Sequence, residues 1–143
     1  MAVDAAAEST LWADCLLPDS ERDRSPVFSP LGEARYALGL ETIYEGYLLH
    51  YGRPRLFVPA DRHTALLLGD YLYAHGLVRI ADTGNVDAVA ELAGLISLCA
   101  HLRAEQKEGD GEAWAATSVA LSSAPPDDGA LDRALAAHRE RVG

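Results

Sequence analysis

The segment 62–82 constrains the fold more than any other. Ala65, Leu66, Leu67, Leu68, Tyr71, Leu72, Tyr73, Leu77, Val78 and Ile80 leave it almost no polar face. A helix that is apolar nearly all round belongs at the centre of its fold. It does not read as a membrane span. Asp70, His75 and Arg79 interrupt the apolar window 65–81, whereas a span needs about 20 predominantly apolar residues. The 143-residue chain has one domain's length. Its composition, 49% hydrophobic, suits a chain that buries a core rather than a disordered one.

The neighbouring segments are helical in pattern as well. Residues 4–17 read as a short Ala-rich helix ending before Pro18, and 18–30, with three prolines and five charges, as a linker. Ser29-Pro30 has the form of a helix start, an N-cap followed by proline at the first position. The helix from there to about His50 carries Leu40, Ile43, Tyr44, Tyr47, Leu48 and Tyr51 on one stripe, with Glu41 and Glu45 on the opposite face. Gly32, Gly39 and Gly46 recur every seven residues, two helical turns. Each costs about 1 kcal/mol relative to alanine, so the line of them predicts close approach by another helix.

Residues 52–60 form a turn, and Asp61 is the expected cap of the apolar helix that runs to about Asp82. After the turn at Thr83-Gly84-Asn85, a helix over 86–107 is expected to face Val89, Leu92, Ala93, Ile96, Cys99 and Ala100 inward. Gly109-Asp110-Gly111 breaks the chain, a helix over 112–121 follows, and a polar helix over about 130–141 closes it. No strand or repeat pattern is present, so the expected class is all-α, a helical bundle. The expected organisation is an N-terminal part (1–30), a helical core (31–121) and a polar C-terminal part (122–143).

Charge narrows the partners. Twelve Lys and Arg against 22 Asp and Glu leave a net −10, which argues against nucleic-acid binding and against an anionic membrane surface. Cys15 and Cys99 form no CxxC or ligand cluster, so two free thiols in a reducing, cytoplasmic setting are expected. The first residues lack the basic and long apolar regions of a signal peptide. Asp70 lies mid-helix among leucines, where burial of a carboxylate demands a partner: a ligand, an arginine or a helix N-terminus. His50, His63, His75 and His101 are scattered and make no HExxH or HxxxH pair. Asp127, Asp128 and Asp132 are the one acidic cluster, explained by helix capping better than by metal binding. No nucleophile elbow, phosphate loop or dinucleotide fingerprint is legible.

Two segments carry a resemblance. Residues 40–50 read LETIYEGYLLH and residues 52–74 read GRPRLFVPADRHTALLLGDYLYA. They resemble the trans-polyprenyl diphosphate synthases, all-α enzymes that elongate allylic diphosphates. Leu40, Glu41, Ile43, Leu48, Leu49 and His50 match that family's helix before its first aspartate-rich motif. Gly52 and Pro54 match the loop after it, and Leu67, Leu68, Gly69, Asp70, Tyr71, Leu72 and Ala74 match a later helix, with the family's spacing from Gly52 to Gly69. The likeness covers roughly residues 33–106.

The departure is as informative. His50 runs straight into Tyr51-Gly52-Arg53-Pro54, where the family places its aspartates, and the second aspartate-rich motif has no counterpart. Ionising an allylic diphosphate needs carboxylate-held Mg²⁺, worth several kcal/mol. The resemblance therefore implies a chain with no catalytic, cofactor or metal residue of its own, and Mg²⁺ only in a catalytic partner. It implies a short non-catalytic subunit that pairs with a catalytic one, or with itself, and that shapes the prenyl cavity. Tyr47, Asp70, Tyr71, Tyr73 and Leu77 are the candidate cavity or interface residues, with Tyr71, Tyr73 and Leu77 limiting chain growth; ordinary core packing is the competing reading. A structural subunit of another assembly and a prenyl-lipid binder are the alternative functions.

Overall fold

A computed structural model describes residues 10–142. It is all-helical: α1 (Ala37–Tyr51), α2 (Arg62–Ala81), α3 (Val86–Ala104), α4 (Asp110–Ala120) and α5 (Ala130–Val142), with no strand among the described residues. Short 3-10 turns at Asp19–Glu21, Ser29–Leu31 and Ala34–Tyr36 and a single helical turn at Thr10–Ala13 precede the bundle. Most of the expected 4–17 helix thus lies outside the described residues or is not helical. Residues 15–17 instead run beside 56–58, with Leu17 N donating to Leu56 O and Val58 N to Cys15 O.

α1 is the central helix. Every residue from Thr42 to Leu49 is buried. α2, expected at the centre, packs along α1 on one side only and leaves Leu67 and Val78 about 60% and 58% exposed. The glycines explain the α1–α2 geometry. A Cβ on Gly46 would lie 2.8 Å from Gly69 O, and one on Gly39 would lie 3.2 Å from Gly76 O. Gly39 and Gly46 of α1 therefore face Gly76 and Gly69 of an antiparallel α2, itself a seven-residue pair. Gly32 does not join this line. It sits outside α1, next to Leu40 and Ser118 O, because the chain goes extended at Gly32 and Glu33 before the helix begins at Ala37.

Residues 18–30 are not a free linker. Val27 and Phe28 are buried, and Phe28 stacks on Trp114 at 5.7 Å and meets Tyr44 edge-on at 5.3 Å. Ser29-Pro30 opens only a 3-10 turn. Ala93 and Ala100 of α3 face outward; Ala88, Leu92, Leu95 and Cys99 face the core. Asp61 and Asn85 cap α2 and α3, their side chains accepting from Thr64 N and Ala88 N. α4 begins at Asp110, inside the expected break, after Gly109 takes a φ of +125 that side chains rarely allow. α5 is amphipathic and buries Ala134 and His138 in the same core as α1, α3 and α4.

Candidate functional site

The predicted residues lie on two faces of the α1–α2 pair, and Tyr47 in a buried cluster with Asp110 and Arg103. Asp70 is not buried among leucines. Its side chain is 68% exposed and accepts from His50 Nε2 of α1 at 2.9 Å. Tyr73 stacks on the same His50 ring at 5.1 Å and, with Leu77, packs against the main core. Burial pushes the Tyr73 phenol well above its usual range. Tyr71 lies on the other flank, its ring 5.7 Å from Trp12 and 4.4 Å from His75. Asp70 and Tyr73 thus share His50, Tyr71 stands apart, and Tyr47 belongs to a different cluster. Along the outward face of α2, Leu67, Ala74, Val78 and Ala81 are exposed at helical spacing. His63 and His101 are exposed, and Asp127 and Asp128 are exposed in the loop, where Asp127 contributes its carbonyl rather than its carboxylate to Ala130 N. No three His, Cys, Asp or Glu side chains converge as a metal set among the described residues. Cys15 and Cys99 are free, buried thiols; burial pushes Cys99 up to about 12.

Glu41 and Glu45 do not face solvent. Glu45 is fully buried, and its carboxylate accepts from Arg55 Nε at 3.0 Å, Arg55 N at 2.9 Å and Leu56 N at 2.9 Å. Glu41 accepts from Arg55 Nη1 at 2.7 Å and from Ser29 N at 2.9 Å. The glutamates stand one turn apart on α1 and clasp a single guanidinium supplied by the 52–57 turn. Burial disfavours the Arg55 charge, but the two carboxylates outweigh it and raise its affinity for the proton. The corner 51–54 itself offers no carboxylate. Arg53 is exposed, and its amide donates to Arg141 O of α5 at 2.9 Å. That donor set does not fit a Mg²⁺–diphosphate group.

The second cluster joins α1, α3, α4 and α5. The Tyr47 hydroxyl donates to Asp110 Oδ2. Arg103 of α3 donates from Nε to the same oxygen at 2.8 Å and from Nη2 to the Tyr47 hydroxyl at 2.9 Å. Burial pushes the Asp110 carboxyl up, yet the bonds from Tyr47 and Arg103 prevail and hold it below the usual carboxylate range. Burial also drives the Tyr47 phenol strongly upward, so it stays protonated and donates. One turn before Tyr47, Tyr44 meets His138 of α5 at 2.7 Å between hydroxyl and Nδ1. His138 is only 4% exposed and lies among the rings of Phe28, Tyr44 and Tyr47. Burial, the largest influence, lowers its pKa; Asp110 opposes this and Arg103 adds to it.

Of these groups Arg103, Asp110 and His138 line a cavity of about 600 Å³ bounded by the end of α3, the first turn of α4 and α5. Tyr47 was legible as a stripe residue. Asp110, Arg103 and His138 were not, because each sits on a different helix and no spacing along the chain links them. The available signal was Gly109 and Gly111 flanking a lone aspartate before a Trp-bearing helix. Among the described residues no helix is long and apolar enough to cross a membrane. Comparison with protein-family models, with curated proteins and with solved structures found no match to this chain.

Proposed function

We propose that this chain is a non-catalytic helical subunit that pairs with a catalytic trans-polyprenyl diphosphate synthase. The single observation that carries the reading is the α1–α2 pair. The segments LETIYEGYLLH and LLGDYLYA, which resemble that family, lie antiparallel against each other over paired glycines. The corner between them ends in Arg53 and Pro54 rather than in carboxylates. The outward stripe of Leu67, Ala74, Val78 and Ala81, with the exposed Asp70 as the one charge within it, supports docking of a helical partner, since a mostly apolar row that the chain itself leaves uncovered favours association. The partner's own aspartates would hold Mg²⁺ and ionise the substrate, and this chain would contribute packing and, through the α2 side chains, the length of the product.

Co-expression with a full-length polyprenyl synthase from the same source, carrying both aspartate-rich motifs, tests this. Co-purification together with altered product length or raised turnover is the expected result. Separation of the two chains with unchanged product distribution overturns it. The isolated chain, supplied with isopentenyl and farnesyl diphosphates and Mg²⁺, is expected to form no product; product from it alone overturns the non-catalytic assignment.

A further inference from the structure

We infer that the cavity at the first turn of α4 binds a small oxyanion, a carboxylate or phosphate-type group, between the His138 imidazole and the leading amides of α4. Three observations support this independently of any pairing with a synthase.

The first is His138 itself. The side chain is 96% shielded (4% exposed) yet lines the cavity, and among the described residues its Nε2 has no hydrogen-bond partner. The Tyr44 hydroxyl has no other acceptor among the bonds it makes, so it donates to Nδ1. A neutral ring that accepts at Nδ1 carries its proton on Nε2 and presents a donor to the cavity. Gly111 lets the ring come this close: a Cβ there would stand 2.8 Å from His138 Cδ2 and 3.3 Å from Nε2.

The second is the end of α4. The first intrahelical bond runs from Ala113 N to Gly109 O, and no side chain caps the helix start. The amides of Gly111 and Glu112 therefore point out of an 11-residue helix without a backbone acceptor. Gly109 provides no side chain to cap them.

The third is the pairing of the acidic group that lines the cavity: Asp110 is held by Arg103 at 2.8 Å rather than left as a free charge. Asp110 Oδ2 already accepts from Tyr47 and from Arg103. The ion pair offsets the charge that would repel an anion, and the leading amides and His138 Nε2 are donors, which select an acceptor. The rim adds Lys107 and Arg139 as cations and Glu108 and Glu112 as exposed acids. The rim acids keep affinity modest and restrict the ligand to a compact anion.

Binding is coupled to protonation. An oxyanion at Nε2 joins Asp110 and Glu112 in favouring imidazolium, against burial and the Arg103 and Arg139 charges that oppose it. The added proton goes to Nδ1, and the Tyr44 hydroxyl turns from donor to acceptor to meet it, so affinity rises as pH falls.

The test is amide and histidine-ring NMR on the full chain, titrated with sulfate, inorganic phosphate and acetate at constant ionic strength in chloride. Sulfate keeps its charge throughout the range, so its pH dependence reports the protein. Saturable shifts centred on Gly109–Glu112 and the His138 ring are expected, with sulfate binding about tenfold tighter at acidic pH than at alkaline pH. Arg139→Ala and Lys107→Ala, both at exposed positions, are expected to weaken it several-fold. His138→Gln is expected to remove the pH dependence. Comparing acetate with sulfate separates a carboxylate ligand from a phosphate-type one. Shifts that do not saturate, that spread over exposed arginines elsewhere, or that ignore the two rim substitutions overturn the inference, whether or not the His138 variant folds. Failure of the chain to pair with a synthase leaves this result unaffected.

Discussion

Glu45 is the residue with most to lose. Its carboxylate is fully enclosed and takes three donors, two of them from Arg55. Removing one partner of a buried ion pair strands the other and costs about 3–5 kcal/mol. Glu45→Ala is therefore expected to lower the stability read from urea melts by that much or to leave the chain unfolded, whereas Glu33→Ala, which breaks a solvent-exposed pair with Arg35, is expected to stay within about 0.5 kcal/mol of the parent. His138 sets a pH response. Its folded pKa lies below its ordinary value of 6.5, chiefly through burial. The unfolded chain thus binds the proton more readily, and stability present at neutral pH is lost as pH falls through the unfolded value. Thermal unfolding from about pH 8 down to about pH 5 is expected to show this decline. The decline is expected to be shallower in His138→Gln; equal slopes would remove His138 as its source.

At the scale of elements, the glycine pairs govern α1 and α2. Gly46→Ala would drive a methyl to 2.8 Å from a backbone oxygen that cannot rotate away, and overpacking of that kind costs about 1–3 kcal/mol. Gly94, also helical, is exposed, and a Cβ added there would meet nothing within 4 Å. Gly94→Ala is accordingly expected to stabilise by up to about 1 kcal/mol. Opposite signs for one substitution, read by denaturant melts, are the expected outcome. The contrast also shows what was legible beforehand. The period of seven in Gly39 and Gly46 pointed to a close helix contact, and α2 supplied its own pair, Gly69 and Gly76. Asp61 was readable as a cap because capping is local. Glu41 and Glu45 look solvent-facing in the sequence because its period shows two carboxylates opposite an apolar stripe and cannot show that Arg55, ten residues on, folds back onto them. For the same reason α2 looked more central than α1. Its aliphatic content is higher, but α1 is enclosed by α2, by α5 and by Phe28, which precedes it in a segment that prolines and charges made look free.

At the scale of the molecule, the outward face of α2 separates stability from assembly. Leu67 and Val78 are more than half exposed and belong to neither core cluster. Leu67→Asp with Val78→Asp is expected to leave thermal stability within about 0.5 kcal/mol and to abolish co-purification with the proposed catalytic partner. Retained pairing would move the contact to another face. The cluster of Tyr47, Arg103, Asp110 and His138 makes the complementary point about legibility: four helices contribute to it, and only the three-dimensional packing puts them together.

The seam of paired glycines also has a kinetic consequence. Where two helices touch main chain to main chain, neither can fray without pulling the other open, and the amides of Thr42–Leu49 have no route to solvent short of the whole bundle coming apart. In deuterium exchange those amides should be the last to label, and once each rate is divided by that residue's intrinsic exchange rate they should share one protection value, the global opening free energy of the protein.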